Sequence, residues 1–421
     1  MKRPILLLAF VLLSQGIRSQ EVRLSDCISL ALKNNPLAGN RELAMDFAGL
    51  RKQVIKAAWL PTLDLNAQAT WQTDVVSFTL DLPFEVDFPV IPKDQYKATL
   101  DVTQMIYDGG GIKAQQVIED ISASVSGQET GIKEYGLSET VEDLFFAILN
   151  VNRKLEVFEL MNRSLEATLN QVKAGIDNGI LAESDYSSIL AEKIRIKQLV
   201  IQTTGLKNKA IRALSILTGT EIPDQAQFII PDEPGLPDIT GERPELGLFD
   251  LQDAMIDARI RQLTTQLRPK WVAFGQAGYG KPGLNFLGDT WDPYAVIGMK
   301  FSWTIWDWGK IKKQKESFEV NRRILDNQRK AFEQQQAISE TRQNETIDEI
   351  NALLVSDYEL VGAREKITRS YQSKLSGGVI TGPAYLTEWT KEQEAKITLE
   401  ARRVERLAAQ YKLVSIKGKN I

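Results

Sequence analysis

Residue types able to do chemistry are scarce in this 421-residue chain. Histidine is absent, which removes the commonest general base and the commonest metal ligand together. Cys27 is the only cysteine, so an internal disulfide and a thiol metal cluster are both excluded. Asp26 precedes it where lipidation would want a small residue, and Cys27 reads as an apolar residue on a helix face. No grouping of the remaining side chains resembles a catalytic cluster. No enzyme, catalytic residue, cofactor or metal is therefore expected. What stands out instead is a pair of glycine turns with acids beside them. Gly179-Ile180-Leu181 is followed by Glu183 and Asp185, and Gly378-Val379-Ile380 by Glu388. Glycine permits the positive φ that ends a helix, and a small apolar pair beside it offers an exposed contact.

The elements that position those turns are written twice. One copy reads Pro61-Thr-Leu-Asp-Leu, a strand ending Ile106-Tyr107-Asp108-Gly109, a long helix, and Asn178-Gly179-Ile180-Leu181. The other reads Pro269-Lys-Trp-Val-Ala, a strand ending Ile305-Trp306-Asp307-Trp308-Gly309, a second long helix, and Gly377-Gly378-Val379-Ile380. Gly111 to Gly179 and Gly309 to Gly377 are both separations of 68 residues. A helix of that length reaches about 100 Å at 1.5 Å per residue. In the first, Leu137, Val141, Leu144, Ile148, Val151, Leu155, Phe158, Leu165, Leu169, Val172 and Ile176 follow alternating steps of four and three, interrupted only at Asn162, a coiled-coil signal. Residues 184–217 form its companion. The second copy is looser, with Ile311, Phe318, Leu325 and Phe332 seven apart, and Ile397, Val404 and Tyr411 on its return helix.

Four segments alternate with period two. Leu63, Leu65, Ala67, Ala69 and Trp71 share one face; so do Tyr96, Ala98, Leu100 and Val102; then Trp271, Ala273, Ala277 and Tyr279; then Ala295, Ile297, Met299, Phe301 and Trp303. Each runs about ten residues, the length of a tilted strand across a bilayer, with aromatics at the ends. A sheet in a soluble domain has the same pattern. Four strands cannot close a barrel, however, and an open edge is not tolerated in lipid. If they cross a membrane, several protomers share one barrel.

Residues 1–19 read as a signal peptide: Lys2 and Arg3, then an apolar stretch from Ile5 to Leu13. Losing Lys2, Arg3 and Arg18 takes the formal charge from −4 to −7, an acidic balance that argues against nucleic acid as a partner. Beyond them no run approaches the 18 apolar residues of a spanning helix. The organisation expected is residues 20–218 as a first structural repeat, 219–244 as a Pro- and Asp-rich linker, and 245–421 as a second repeat. The first copy is longer near Val75–Asp94, where Phe78, Leu80, Leu82, Phe84 and Phe88 make an apolar loop that either folds over a barrel mouth or extends as a hairpin.

With its parts in this order the chain resembles the outer-membrane efflux protein family, the TolC-like channels. The residues that carry the resemblance are Leu24-Ser-Asp-Cys-Ile-Ser-Leu-Ala-Leu-Lys-Asn-Asn-Pro36, Trp59-Leu60-Pro61, Tyr107-Asp-Gly-Gly-Gly111 and Gly179-Ile-Leu-Ala-Glu-Ser-Asp185. The resemblance implies a mainly α protein with a transmembrane β component. Long antiparallel coiled-coil helices form a trimeric α-barrel, continued by a shared 12-stranded β-barrel with four strands per protomer. It implies an outer-membrane location reaching into the periplasm, and a passive export duct of a tripartite efflux or type I secretion system. The implied partners are two further copies, a periplasmic adaptor protein, an inner-membrane transporter and outer-membrane lipid. The adaptor-binding tip falls on Gly179, Ile180, Leu181, Gly378, Val379 and Ile380. The family narrows its periplasmic aperture with a second-repeat aspartate pair; those positions hold Ala384 and Thr387 here, and the arginine partner position holds Ile380. Asp185, Glu183 and Glu388 are the candidate aperture carboxylates that remain. A stand-alone porin and a structural periplasmic coiled-coil protein are the other classes open to this sequence.

Overall fold

The computed structural model describes residues 21–75, 92–235, 241–285 and 287–419. The candidate signal peptide and Phe78, Leu80, Leu82, Phe84 and Phe88 lie outside the described residues. The chain is mainly helical, and its two copies repeat strand, strand, long helix, return helix. In the first copy these are β2 (Thr62–Trp71), β3 (Asp94–Tyr107), α3 (Gly111–Asp177) and α4 (Glu183–Thr218). In the second they are β5 (Lys270–Lys281), β6 (Asp292–Ser302), α6 (Lys310–Ser376) and α7 (Gly382–Ile416). Both long helices have 67 residues. Helices α1 (Leu24–Asn34) and α2 (Asn40–Ala57) precede the first copy, and α5 (Pro244–Thr265) precedes the second. Helices α2 and α5 have no counterpart among the elements read from the sequence. Among the described residues no helix is long and apolar enough to cross a membrane.

The chain divides into two compact units, and each draws on both copies. The first comprises Met1–Ala38, Gly131–Pro244 and Phe332–Ile421. Its helices bury the heptad stripe: Val141, Phe145, Ile148 and Leu149 pack with Ile211 and Leu214 of α4, Cys27 and Ile28 of α1, and Leu407 and Tyr411 of α7. Further along, Phe158, Met161, Leu165 and Val172 meet Ile189 and Ile196 of α4 and Tyr385 and Trp389 of α7. Cys27 is buried as its apolar neighbours suggest, and burial pushes its thiol up to about 11, far from a reactive thiolate. Residues from 219 to 235 are ordered against this core. Ile222, Ala226 and Phe228 are buried, and β4 (Gln227–Phe228) pairs in parallel with β1 (Glu21–Val22).

The second unit, Gly39–Thr130 and Glu245–Ala331, holds one antiparallel sheet in the order β2-β3-β5-β6. Its register sets Leu65 opposite Leu100, Leu100 opposite Ala277 and Ala277 opposite Ala295, so the apolar rows read from the sequence form one continuous face. That face is open: Leu65, Ile297 and Met299 are all exposed. The opposite face is polar along β2 and most of β3, and mixed along β5 and β6, where Phe274 and Val296 share it with Gln276 and Lys300. Asp101 there accepts hydrogen bonds from Asn66 on β2 (2.8 Å), Thr99 (2.8 Å) and Gln276 on β5 (2.5 Å). β2 and β6 each have only one neighbour among the described strands. α2 also carries an exposed stripe, Leu43, Phe47, Leu50 and Val54, at coiled-coil spacing.

Candidate functional site: the paired helix tips

Both long helices end the same way. Asp177 closes α3, Gly179 follows at φ 71°, and the Gly179 and Ile180 amides donate back to Ile176 (2.8 Å) and Gly175 (2.9 Å). Ser376 closes α6, Gly378 follows at φ 68°, and the Gly378 and Val379 amides donate to Leu375 and Lys374, both at 2.9 Å. These are glycine stops in the left-handed region, which satisfy the last carbonyls of each helix. The tips therefore correspond as Gly179 with Gly378, Ile180 with Val379 and Leu181 with Ile380. That is one residue further on than the Gly309–Gly377 count suggests.

The six tip residues divide by exposure. Ile180 is 53% and Val379 73% exposed. Leu181 and Ile380 turn back onto the buried cluster of Leu165, Tyr385 and Trp389. Leu181 lies over Gly175, where an added Cβ would come within 2.8 Å of Leu181 Cδ1. The two tips touch, because a Cβ on Gly378 would come within 2.7 Å of Ile180 Cγ2. Gln171 of α3 also hydrogen-bonds Ser376 of α6.

Asp185 is only 6% exposed. One carboxylate oxygen accepts from the Gly382 amide at 2.6 Å, and the other from the Ala182 amide at 3.1 Å. It ties the start of α4 to the start of α7. The approach needs glycine, since a Cβ at Gly382 would lie 3.0 Å from Asp185 Cα and from its carbonyl oxygen. Glu388 is engaged elsewhere, with Lys391 at 2.7 Å and Arg364 of α6 at 3.1 Å. Those cations hold its carboxyl below the usual carboxylate range, the Lys391 bond first. Glu183 is exposed. Within one chain, then, the three acids expected at the aperture have separate settings: a buried clasp, an ion-paired acid and an exposed acid. Sequence reasoning missed Gly382 and Arg364. The Gly382-Pro383 start of α7 was the available signal, since proline suits the first helical turn.

At the far ends of the long helices a second turn recurs. Asp108 accepts from the amides of Gly110 (2.8 Å) and Ile112, and Asp307 from those of Gly309 and Ile311, both at 2.9 Å. The Ile311 bond is the chief reason that the Asp307 carboxyl sits below its ordinary range. The strand-to-helix turn is thus as closely duplicated as the tip.

Residues 27–220 match the sequence model of the family described as Outer membrane efflux protein. That match covers a little under half of the chain and bears out the resemblance read from the sequence; the family it describes is one of outer-membrane channels. Solved structures share the fold over nearly the whole chain. VceC of Vibrio cholerae, an outer membrane protein, is 15% identical with a TM-score of 0.68, covering 94% of this chain and 96% of that one. The Campylobacter jejuni CmeC outer membrane channel is 16% identical with a TM-score of 0.65, covering 94% and 85%. The Neisseria gonorrhoeae MtrE outer membrane channel, solved in its open state, is 16% identical with a TM-score of 0.65, covering 93% and 89%. No curated protein matches the sequence.

Proposed function

We propose that the protein is the outer-membrane duct of a tripartite efflux or type I secretion system, a homotrimer docked through its helix tips to a periplasmic adaptor and an inner-membrane transporter. The observation that carries this reading is the open sheet. Four strands of 10 to 14 residues present an unbroken apolar face, a more polar face and two unpaired edges. Exposed backbone N–H and C=O groups along β2 and β6 have no partner in lipid, so several copies must join edge to edge; the three copies that the resemblance implies give twelve strands. The more polar face with Asn66, Asp101 and Gln276 then lines the lumen. The exposed stripe on α2 is where a neighbouring copy would pack. Residues 1–19 are the export signal, 20–218 and 245–421 the two repeats, and 219–244 the connector between them.

At the periplasmic end, exposed Ile180 and Val379 supply an apolar contact for the adaptor, with Gly179, Leu181, Gly378 and Ile380 shaping the turns. Three-fold repetition brings Glu183, Asp185 and Glu388 around one axis as the aperture acids, and Glu183 has the free carboxylate among them. The experiment is an export assay in cells with Gly179→Arg and Gly378→Arg. Export is lost while the protein still fractionates with the outer membrane as an assembled oligomer. Unimpaired export in the double variant would overturn tip docking.

A further inference from the structure

The two strand-to-helix turns share a backbone and differ in what they display. In the first copy Gly109 takes φ 74° and is packed against Arg268: a Cβ there would come within 2.7 Å of Arg268 Cβ. Asp108 beside it is buried. The corresponding residue of the second copy is Trp308, held at φ 56°, a conformation that glycine adopts freely and other L-residues resist. It is 88% exposed, and nothing lies within 4 Å of where a Cβ on the neighbouring Gly309 would sit. Trp306 stands beside it with ring centroids 6.0 Å apart, and is also exposed. Neither packing nor backbone preference explains a tryptophan at this position.

Charge changes at the same place. The first turns of α6 carry Lys310, Lys312, Lys313 and Lys315, where the matching positions of α3 hold Gly111, Lys113, Ala114 and Gln116. Lys310, Lys312 and Lys313 are exposed, and Lys313 has Glu316 at 2.6 Å. From residue 310 to 315 the helix rises only about 8 Å. The lysines therefore surround the helix at one level, with the indoles just before them. Before that level in the chain, Ile297, Met299 and Phe301 lie on the apolar face of β6, and Trp303 and Ile305, just past the strand's end, are exposed as well. Apolar band, then indoles, then lysines is the order in which a bilayer presents hydrocarbon, interface and phosphate.

We propose that Trp306, Trp308 and the Lys310–Lys313 turn form a docking site for anionic phospholipid headgroups where the second repeat leaves the membrane. This rests on the sheet being a membrane barrel. The first-repeat turn, packed under Arg268 and lacking three of the four lysines, has no such site.

The test uses the purified full-length protein in phosphatidylcholine vesicles containing either brominated phosphatidylglycerol or brominated phosphatidylcholine at equal fraction. Bromine quenches neighbouring indoles, and subtracting the signal of the Trp306→Phe/Trp308→Phe variant isolates these two. The brominated anionic lipid is expected to quench them more strongly, with a local preference of about fivefold or more. Lys310→Gln/Lys312→Gln/Lys313→Gln abolishes the preference and leaves general quenching intact. Equal quenching by the two lipids, or a preference that survives loss of the lysines, overturns the site. Indoles quenched by neither lipid would mean that a neighbouring copy covers them, which also overturns it. Oligomer mass and bilayer conductance of the same wild-type preparation report separately on the channel reading.

Discussion

At the residue scale, the buried carboxylates Asp185 and Glu142 have hydrogen-bond partners that are not cations. Asp185 is the clasp between the two hairpin starts. Asp185→Ala removes the acceptor for two amides, one of them buried, at a cost of about 1–3 kcal/mol. Amide hydrogen exchange at Gly382 should quicken in Asp185→Ala and much less in Asp185→Asn, which keeps an acceptor oxygen. Unchanged exchange in the alanine variant would remove the clasp. Glu142 is a further buried acid. It takes a hydrogen bond from Ser415 Oγ at 3.0 Å, beside Glu139, Asp143 and Lys412. Burial pushes its carboxyl up to about 7 from an ordinary 4.5. The folded state therefore binds this proton more tightly than the unfolded state does. Its stabilising effect is complete below pH 4.5 and is lost as pH rises through 7, a swing of about 3 kcal/mol. Glu142→Gln should flatten the change in denaturant midpoint between pH 5 and pH 8. A midpoint that falls equally in both proteins would place the titration elsewhere.

Elements were legible where a period persisted. The heptad of α3 and the alternation of β2, β3, β5 and β6 run long enough to be read without a structure, and every apolar row found that way lies on one face of the sheet. α2 was missed although Leu43, Phe47, Leu50 and Val54 keep coiled-coil spacing. Such a stripe normally points into a core, and here it is exposed on the chain. The tip glycines were found by residue type, because only glycine takes positive φ at no cost. The settings of Asp185 and Glu388 were not, because both depend on partners roughly 200 and 24 positions away, Gly382 and Arg364. Open edges make a prediction of their own. Single cysteines placed along β2 and β6, such as Ala67→Cys with Ile297→Cys and positions stepped by two from them, should form disulfides between chains at one register. Buried Cys27 will not compete. Cross-links confined to one chain, or none at any register, would contradict edge pairing.

At the scale of the whole molecule, the second unit leaves an apolar sheet face and two strand edges open that no part of the described chain covers, while the first packs two large buried clusters and still exposes Ile194, Ile201 and Ile216 of α4. Lipid and further copies of the chain are the two coverings that satisfy both an apolar face and an unpaired edge. The most direct measurement is the mass of the particle extracted from outer membranes in mild detergent, with bound detergent subtracted. Three chains per particle is the predicted result, since four strands from each close a barrel of twelve. A stable particle of one chain would contradict the shared barrel.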